Sequence, residues 1–280
     1  MWLKSNELSI NDAKTKVMIF SNKRPIPDFR FVLNNNDPNS SQNPLFIHEI
    51  ERLKSSSKTP FFKMLGVYFD ESLSFNYHCK KVNSKISSAL FMISRAKHLL
   101  SENSLKRLYY AIIHPHLLYC LPIYSFTSKK NISTLFKKQK QAIRVINKAK
   151  YNSHTEPLFH KCDILPLNDL IIQQKLIFMH PLAHNCSPVS FRNFIKLSDV
   201  QLHDYPLRNN NDFYIPRGFT SVVSKMPLID FPYTWNALDE PLKIFMSKNV
   251  FKKSVKERLM NQYANFRCSK SICFSCLNIN

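Results

Sequence analysis

The chain has 280 residues, with 40 Lys and Arg against 19 Asp and Glu, so its formal net charge is +21 at pH 7. Because 44% of the residues are apolar and 12% are aromatic, the composition excludes a disordered protein. Gly66 and Gly218 are the only glycines, which excludes a P-loop or a GxGxxG nucleotide site. A charge excess of this size favours a polyanionic partner, and nucleic acid is the first to expect.

The cysteines and the apolar segments bear on location. Seven cysteines are an odd number, scattered without the spacing of a secreted disulfide framework. The first residues include Lys4 and Glu7 and form no continuous apolar run, so we expect no signal peptide. The most apolar stretch, residues 111–126, is interrupted by histidines and prolines and falls short of a membrane-spanning helix. The sequence therefore predicts an intracellular protein, cytoplasmic or nuclear, with no membrane partner.

The N-terminal part of the chain is predicted to be mostly extended. Val17 and Ile19 alternate with Lys16 and Met18, which is typical of a strand. Three further extended runs cover residues 29–33, 45–50 and 61–69. Together these runs predict a small antiparallel sheet.

From Asn76 onward the apolar period becomes helical. The first predicted helix has an apolar face and a basic face, the latter formed by Lys80, Lys81, Lys85 and Arg95. Ser101 is the predicted N-cap of the next helix, which Pro115 ends, and a short helix is expected at residues 117–124. The next long helix, residues 132–148, has a second basic face, formed by Lys137, Lys138, Lys140, Arg144 and Lys148.

Further helices are predicted near residues 167–179 and 247–263, with a proline-rich and loop-rich segment between them. The last residues form a tail that holds Cys268, Cys273 and Cys276. The expected fold is mainly α with a small N-terminal antiparallel sheet (α+β). Its expected divisions are residues 1–75, 76–150, 151–265 and 266–280.

Six short motifs follow one another along residues 1–265. They are Leu8, Asn11, Lys14, Thr15, Met18 and Phe20; Phe62, Leu65, Gly66, Val67, Asp70, Leu73 and His78; Tyr109, Ile112, Ile113, Pro115, Leu117 and Tyr119; Gln139, Ala142, Ile143 and Arg144; His154, Thr155, Pro157, Leu158 and Phe159 with residues 164–166; and Trp235, Asn236, Leu238, Phe251 and Lys252. In this order the motifs resemble the C-terminal half of a non-LTR (LINE or Jockey-like) retrotransposon reverse transcriptase.

The resemblance implies a role for each part of the chain. Residues 1–75 would be the late part of a polymerase palm, with Lys14 near the incoming nucleotide. Leu65, Gly66 and Val67 would form a hairpin like the primer grip. Residues 76–150 would be a helical thumb, followed by a helical, loop-rich C-terminal region. The family's activity is RNA-directed DNA synthesis with magnesium.

One departure from the family bears directly on catalysis. The family holds its metal ions with carboxylates that include an Asp-Asp turn, and this sequence contains no Asp-Asp pair. The resemblance places that turn upstream of Met1, so we expect a truncated reverse transcriptase that is inactive alone. The missing N-terminal part of the polymerase would then be a second candidate partner, besides nucleic acid. It predicts no catalytic residue here, with Lys14 as an auxiliary group at most. The alternatives are a helical nucleic-acid-binding module without catalysis and a non-functional gene fragment.

The expected partner is RNA or an RNA/DNA duplex, whose phosphates the two basic helix faces would contact. The predicted contacts are Lys80, Lys81, Lys85, Arg95, Lys137, Lys138, Arg144 and Lys148. Solvated helix faces are the alternative explanation of the same residues, and Arg144 is also a candidate for a structural role.

The sequence predicts no cofactor in this chain, although zinc at Cys268, Cys273 and Cys276 is considered. A zinc site needs a fourth ligand. The candidates for that ligand are Cys162, Cys186, His180 and His184. A loosely ordered tail is the alternative.

Overall fold

The computed structural model describes residues 5–7, 11, 14–20, 32–34, 47–49, 52–53, 60–189, 191, 195, 212–216 and 223–263. These residues are mainly helical, with short antiparallel strand pairs near the N-terminus, which confirms the predicted α+β class. The chain folds as two compact units, Met1–His78 and Cys79–Asn280.

The first unit contains the strands. The pairs are β1 (Val32–Asn34) with β2 (Ile47–Glu49), and β3 (Phe62–Met64) with β4 (Val67–Phe69), both antiparallel. In the described residues these are two separate two-stranded sheets, whereas the sequence pattern predicted one sheet. Val17 makes an isolated parallel bridge to Arg52.

A two-residue turn closes the β3–β4 hairpin. Leu65 and Gly66 have φ of 47° and 86°, and positive φ at both positions is the pattern of a type I′ turn. The register places Met64 opposite Val67 and Phe62 opposite Phe69. The strand, turn and strand predicted here therefore form with the register that the turn dictates.

The helices occupy most of the second unit, and the first of them begins at the end of the first unit. They are α1 (Asn76–Ala96), α2 (Glu102–Ile112), α3 (His114–Leu118), α4 (Leu121–Tyr124), α5 (Lys129–Ile146), α6 (Glu156–Cys162), α7 (Leu167–Ala183), α8 (Pro227–Asn236), α9 (Glu240–Lys243) and α10 (Lys248–Asn261). A 3₁₀ turn, Val223–Lys225, precedes α8.

Serine side chains cap the starts of two helices. The Ser101 hydroxyl accepts a hydrogen bond from the Ser104 amide at 3.2 Å, which confirms the predicted cap of α2. The Ser128 hydroxyl accepts from the Asn131 amide at 3.4 Å, so α5 begins at Lys129, about one turn before the predicted start. The single helix expected at residues 117–124 is two short helices, because Cys120 adopts a left-handed conformation with φ of 54° between them.

Helix α7 lies at the centre of the helical unit. It packs against α4, α5, α8 and α10, and it buries residues on all sides. A helix that is apolar all round is stable only when other elements surround it. The core around its C-terminal half consists of Leu176, Met179, Leu182, Ile195, Phe213, Phe231, Trp235, Phe251 and Val255.

A buried glutamine joins three segments of this unit. The Gln139 amide nitrogen donates to the Tyr109 hydroxyl at 2.9 Å and to the Leu165 carbonyl at 3.0 Å. Its amide oxygen accepts from the Leu167 backbone N–H at 2.8 Å, which satisfies a free N–H in the first turn of α7. Gln139 therefore fixes α5 against α2 and against the start of α7.

None of the described helices is both long and apolar enough to span a lipid bilayer.

Candidate nucleic-acid interface

A groove of about 540 Å³ lies between the C-terminal ends of α1 and α5. Its lining residues are Leu90, Ser94, Lys97, His98, Gln141, Arg144, Val145, Lys148, Ala149 and Tyr151. Arg144 and Lys148 belong to the predicted interface, whereas Lys97, His98 and Tyr151 were not singled out from the sequence. Three permanent cations, from two segments far apart in the chain, thus meet on one concave surface.

The position of the cations on α5 follows from the face that this helix buries. Leu135, Ala142 and Ile143 are fully buried, so the opposite face is left for the groove. Residues three and four positions apart share a helix face, which places Arg144 on the same side as Lys148. Lys137 is exposed on this side about two turns before Arg144 and extends the basic stripe beyond the groove.

Lys148 occupies the position that ends α5. Its φ is 51°, its amide donates to the Val145 carbonyl at 3.1 Å, and the Ala149 amide donates to the Arg144 carbonyl at 2.9 Å. This pair of bonds is the Schellman motif, which usually has glycine where Lys148 stands. The backbone of the helix end therefore holds the base of the Lys148 side chain at the groove.

Arg144 has a structural contact as well as a place in the groove. Its Nε donates to the Ser153 carbonyl at 2.9 Å, so the guanidinium ties α5 to the loop before α6. Both of the roles considered for Arg144 in the sequence analysis are thus compatible with its position. The same loop carries Tyr151, whose side chain is 82% exposed beside the cations. An exposed aromatic ring next to cations can stack on a nucleic acid base.

The electrostatic character of the groove is one-sided. Its lining contains no Asp or Glu. Lys97, Arg144 and Lys148 form no ion pair with the acidic residues that the structure describes. Cations without carboxylate partners on a concave surface raise the local concentration of anions.

Lys140 differs from the other cations of α5. Its ammonium lies 3.4 Å from a Glu156 carboxylate oxygen and 4.6 Å from the centroid of the Phe136 ring. Burial raises the pKa of Glu156, but hydrogen bonds from backbone amides and the charge of Lys140 outweigh burial and lower it. Lys140 is therefore engaged in contacts within the protein. Lys138, the remaining predicted cation of α5, is half-exposed and lies about two turns before the groove residue Val145.

The predicted cations of α1 lie outside the groove. Lys80, Lys81, Lys85 and Arg95 are exposed, and none of them lines it. Lys85 precedes Ser94 by about two and a half turns, which puts it on the opposite side of the helix. Burial lowers the pKa of His116, and the charge of Lys85 lowers it further, so Lys85 lies on the side of α3. At Lys85, therefore, the basic face of α1 is directed away from the groove.

The other predicted site residues of the first unit lie in turns or directly beside them. Leu65 is 84% exposed at the hairpin turn, whereas Val67 is buried. Lys14 is exposed, and its amide donates to the Asn11 side chain at 3.1 Å. These observations describe local structure only. The primer-grip-like role of the hairpin and the auxiliary role of Lys14 stay predictions.

The zinc hypothesis receives no structural support. Cys268, Cys273 and Cys276 lie outside the described residues. Within the described part, no group of three or more His, Cys, Asp or Glu side chains is arranged to hold a metal ion. Of the proposed fourth ligands, Cys162 accepts a hydrogen bond from Asn147 at 3.0 Å, and His180 Nε2 lies 2.7 Å from the Phe245 carbonyl.

No family model matches this chain, and no curated protein or solved structure is significantly similar to it. The resemblance to non-LTR reverse transcriptases stays a prediction from the motifs. A sequence signal for the missed groove residues did exist, because Tyr151 follows Lys148 and Lys150 in a short basic and aromatic run. Lys97 and His98 were missed because they lie just after the end of α1, where the helical pattern no longer assigns a residue to a face.

Proposed function

We propose that the helical unit binds the sugar–phosphate backbone of RNA or of an RNA/DNA duplex in the groove between α1 and α5. In this proposal the unit acts as the thumb-like part of a protein resembling a non-LTR retrotransposon reverse transcriptase. The observation that carries it is the convergence of Lys97, Arg144 and Lys148 on a concave surface whose lining has no carboxylate. The net charge of +21 supports the same type of partner.

The proposal assigns binding, and no catalytic residue, to these elements. The family's polymerisation needs metal ions held by carboxylates, and this sequence has no Asp-Asp pair. We expect the purified chain not to extend a primer on an RNA template when magnesium or manganese is supplied. Template-dependent incorporation of labelled nucleotide by clean protein would contradict this expectation.

A salt series tests the binding proposal. Fluorescence anisotropy with a short labelled RNA/DNA hybrid should show log affinity falling linearly with log salt, by about 0.7–0.9 for each phosphate contacted. Lys148→Gly removes one cation at a left-handed position that glycine adopts readily, so the fold should keep its stability. In this variant the slope of log affinity against log salt should become shallower by about 0.7–0.9, the value for one phosphate contact.

The matched control is Lys130→Gln, which removes an exposed cation of the same helix outside the groove. It should leave the slope unchanged, and Lys97→Gln should behave like Lys148→Gly. A flat salt response of the wild-type chain, or equal losses in Lys148→Gly and Lys130→Gln, would mean that these lysines are merely solvated.

The predicted cations on the far side of α1 need their own variant. A chain with both Lys81→Gln and Lys85→Gln keeps the groove intact. A loss of slope in this variant would extend the interface around α1, and an unchanged slope would confine it to the groove.

Tyr151 distinguishes single strands from duplexes. Its ring can stack only on a base that is not already stacked on both sides, so Tyr151→Ser should weaken binding of single-stranded RNA by about 1–3 kcal/mol. The hybrid should be bound as before. Tyr233→Ser is the control, because Tyr233 is 66% exposed on α8 and does not line the groove.

A further inference from the structure

A second basic depression lies on the helical unit, among α2, α3, α7 and α10. Its volume is about 310 Å³, which is at the lower end of the range for small-ligand pockets. The lining consists of Tyr110, His114, Ile164, Leu165, Leu170, Gln173, Asn249, Lys252, Lys253 and Lys256. None of these residues lines the α1–α5 groove.

One face of α10 supplies the cations. Lys252, Lys253 and Lys256 lie three, four and seven positions after Asn249, so all four side chains share one side of the helix. The Gln173 amide nitrogen donates to the Lys252 carbonyl at 3.2 Å, which fixes the backbone of α10 against α7. The helix backbone that carries these cations is thereby held in place before any ligand arrives.

The carboxylates near this wall leave part of its charge unpaired. Lys256 pairs with Asp163 at 2.5 Å, and Lys253 lies 3.9 Å from Glu257, which is the more exposed and weaker pair. Lys252 forms no ion pair with the acidic residues that the structure describes. Neither Asp163 nor Glu257 lines the pocket itself.

The opposite wall offers polar groups that suit an anion. His114 Nδ1 is buried and makes no hydrogen bond to any described residue. Burial lowers the pKa of His114, and the charges of Lys252 and Lys256 lower it further, which shows that both ammonium groups act on this ring. The Tyr110 hydroxyl donates to the Asp163 carbonyl at 3.3 Å, which is longer than the usual range for an O–H···O bond and so leaves this hydroxyl weakly held.

We propose that this pocket binds a terminal phosphate monoester, the group that ends a nucleic acid strand or a free mononucleotide. A monoester carries close to two negative charges near neutral pH, and it is compact enough for several ammonium groups to contact it at once. Four helices line the pocket, and its volume of about 310 Å³, against about 540 Å³ for the groove, suits one compact phosphate better than a length of duplex backbone. The inference stands on α10 and His114 and does not depend on the groove.

Paired ligands that differ only in the phosphate test the proposal and identify its source. We compare single-stranded RNA carrying a 5′-phosphate with the same RNA carrying a 5′-hydroxyl, and adenosine monophosphate with adenosine. Binding is followed by anisotropy for the RNA and by titration of the His114 ring resonances for the mononucleotide. A charge-assisted hydrogen bond corresponds to about a tenfold change in affinity. We therefore expect at least about a tenfold preference for the phosphorylated member of a pair.

Lys252→Gln should remove most of this preference, and it replaces an exposed side chain, so the fold is retained. The matched control is Lys248→Gln, which removes an exposed cation of the same helix outside the pocket and should keep the preference. Added adenosine monophosphate should also raise the pKa of His114, because a bound dianion offsets the lysine charges.

Preference for phosphorylated RNA assigns the pocket to strand ends, and binding of adenosine monophosphate without that preference assigns it to free nucleotides. Equal affinity within both pairs, with unchanged His114 resonances, would overturn the proposal. The mononucleotide pair separates this failure from failure of the groove, because it requires no binding of RNA.

Discussion

The β3–β4 hairpin and the helices around α7 are held together by contacts of very different reach along the chain. In the hairpin, Phe61 stacks on Tyr77 at 3.7 Å between ring centroids, and Tyr68 meets both rings edge-on at 5.5 and 5.0 Å. All of these partners lie within residues 61–77. Nearby aromatic residues and a two-residue turn therefore supply most of the described ring contacts of the hairpin, with one longer-range contact, between Phe20 and Phe69 at 6.4 Å.

The helical unit depends on polar contacts between residues far apart. Gln139 bonds to Leu165 and Leu167, and His180 bonds to the Phe245 carbonyl. The Tyr263 hydroxyl donates to the Asp169 carboxylate, across most of the C-terminal half of the chain. We therefore expect the hairpin to depend chiefly on residues near it in the chain, whereas the helical unit should respond to the loss of a single buried polar group.

The largest expected effect is that of Gln139→Leu. The change keeps the side chain's approximate volume but leaves the Tyr109 hydroxyl, the Leu165 carbonyl and the Leu167 amide without their partner. We expect the free energy of unfolding to fall by about 3–5 kcal/mol. Urea denaturation followed by far-ultraviolet circular dichroism measures this loss.

Gln141→Leu is the control for that measurement, because Gln141 is half-exposed two positions further along α5. It should change the free energy of unfolding by about 0.5 kcal/mol or less. Similar losses in both variants would show that the Gln139 contacts do not join the helices as described.

A smaller loss is expected from Asn236→Ala. The Asn236 side chain accepts from the Phe213 amide at 2.9 Å and donates to the Phe213 carbonyl at 2.8 Å, so it fixes the buried residue Phe213 against α8. Removing both bonds should lower the free energy of unfolding by about 2 kcal/mol. Thermal denaturation compared with Asn261→Ala, an exposed change on α10, checks the value.

The stability of the helical unit should also depend on pH, because this unit buries titratable side chains. Burial lowers the pKa of His180, with smaller contributions from the charges of His184 and Lys248. The unfolded chain therefore binds a proton more readily than the folded unit, and stability falls as pH drops below about 6.5. Burial raises the pKa of Asp169, which acts in the opposite direction.

Urea denaturation between pH 7.5 and pH 5.5 measures this dependence. Burial also lowers the pKa of His114 and of His116, so these groups contribute in the same direction. His180→Gln should therefore make the profile less steep without abolishing its slope, while exposed His160→Gln should leave the slope unchanged. An Asp169→Asn background removes the opposing contribution. A profile that is equally steep with His180→Gln would show that another group carries the titration.

The smallest effect is expected in the hairpin. Leu65 is an apolar residue at a positive φ of 47°, where asparagine is favoured. Leu65→Asn should raise the free energy of unfolding of the first unit by up to about 1 kcal/mol and leave the helical unit unchanged. Hydrogen exchange of the hairpin amides measures it, and faster exchange in the variant would contradict the type I′ turn.

The sequence predicted local features that depend on a few neighbouring residues. The amphipathic pattern located α1, α5 and α10 to within a few residues, and Ser101 correctly marked the start of α2. It also identified Arg144, which is half-buried, and Lys148, which is exposed, as members of a basic face. These predictions succeed because helical periodicity and capping are properties of short segments.

By itself, then, the sequence determined the helical class, the hairpin and the strongly basic surface. Only the tertiary structure decided that Lys97 lines the same groove as Arg144 and Lys148, and that Lys140 pairs with Glu156 instead. It also decided that Gln139 is buried and hydrogen-bonded to two other segments. The physical reason is that the way the helices pack around α7 brings together side chains many residues apart. A pattern along one helix records which face is polar, but not which residue of another helix will meet it.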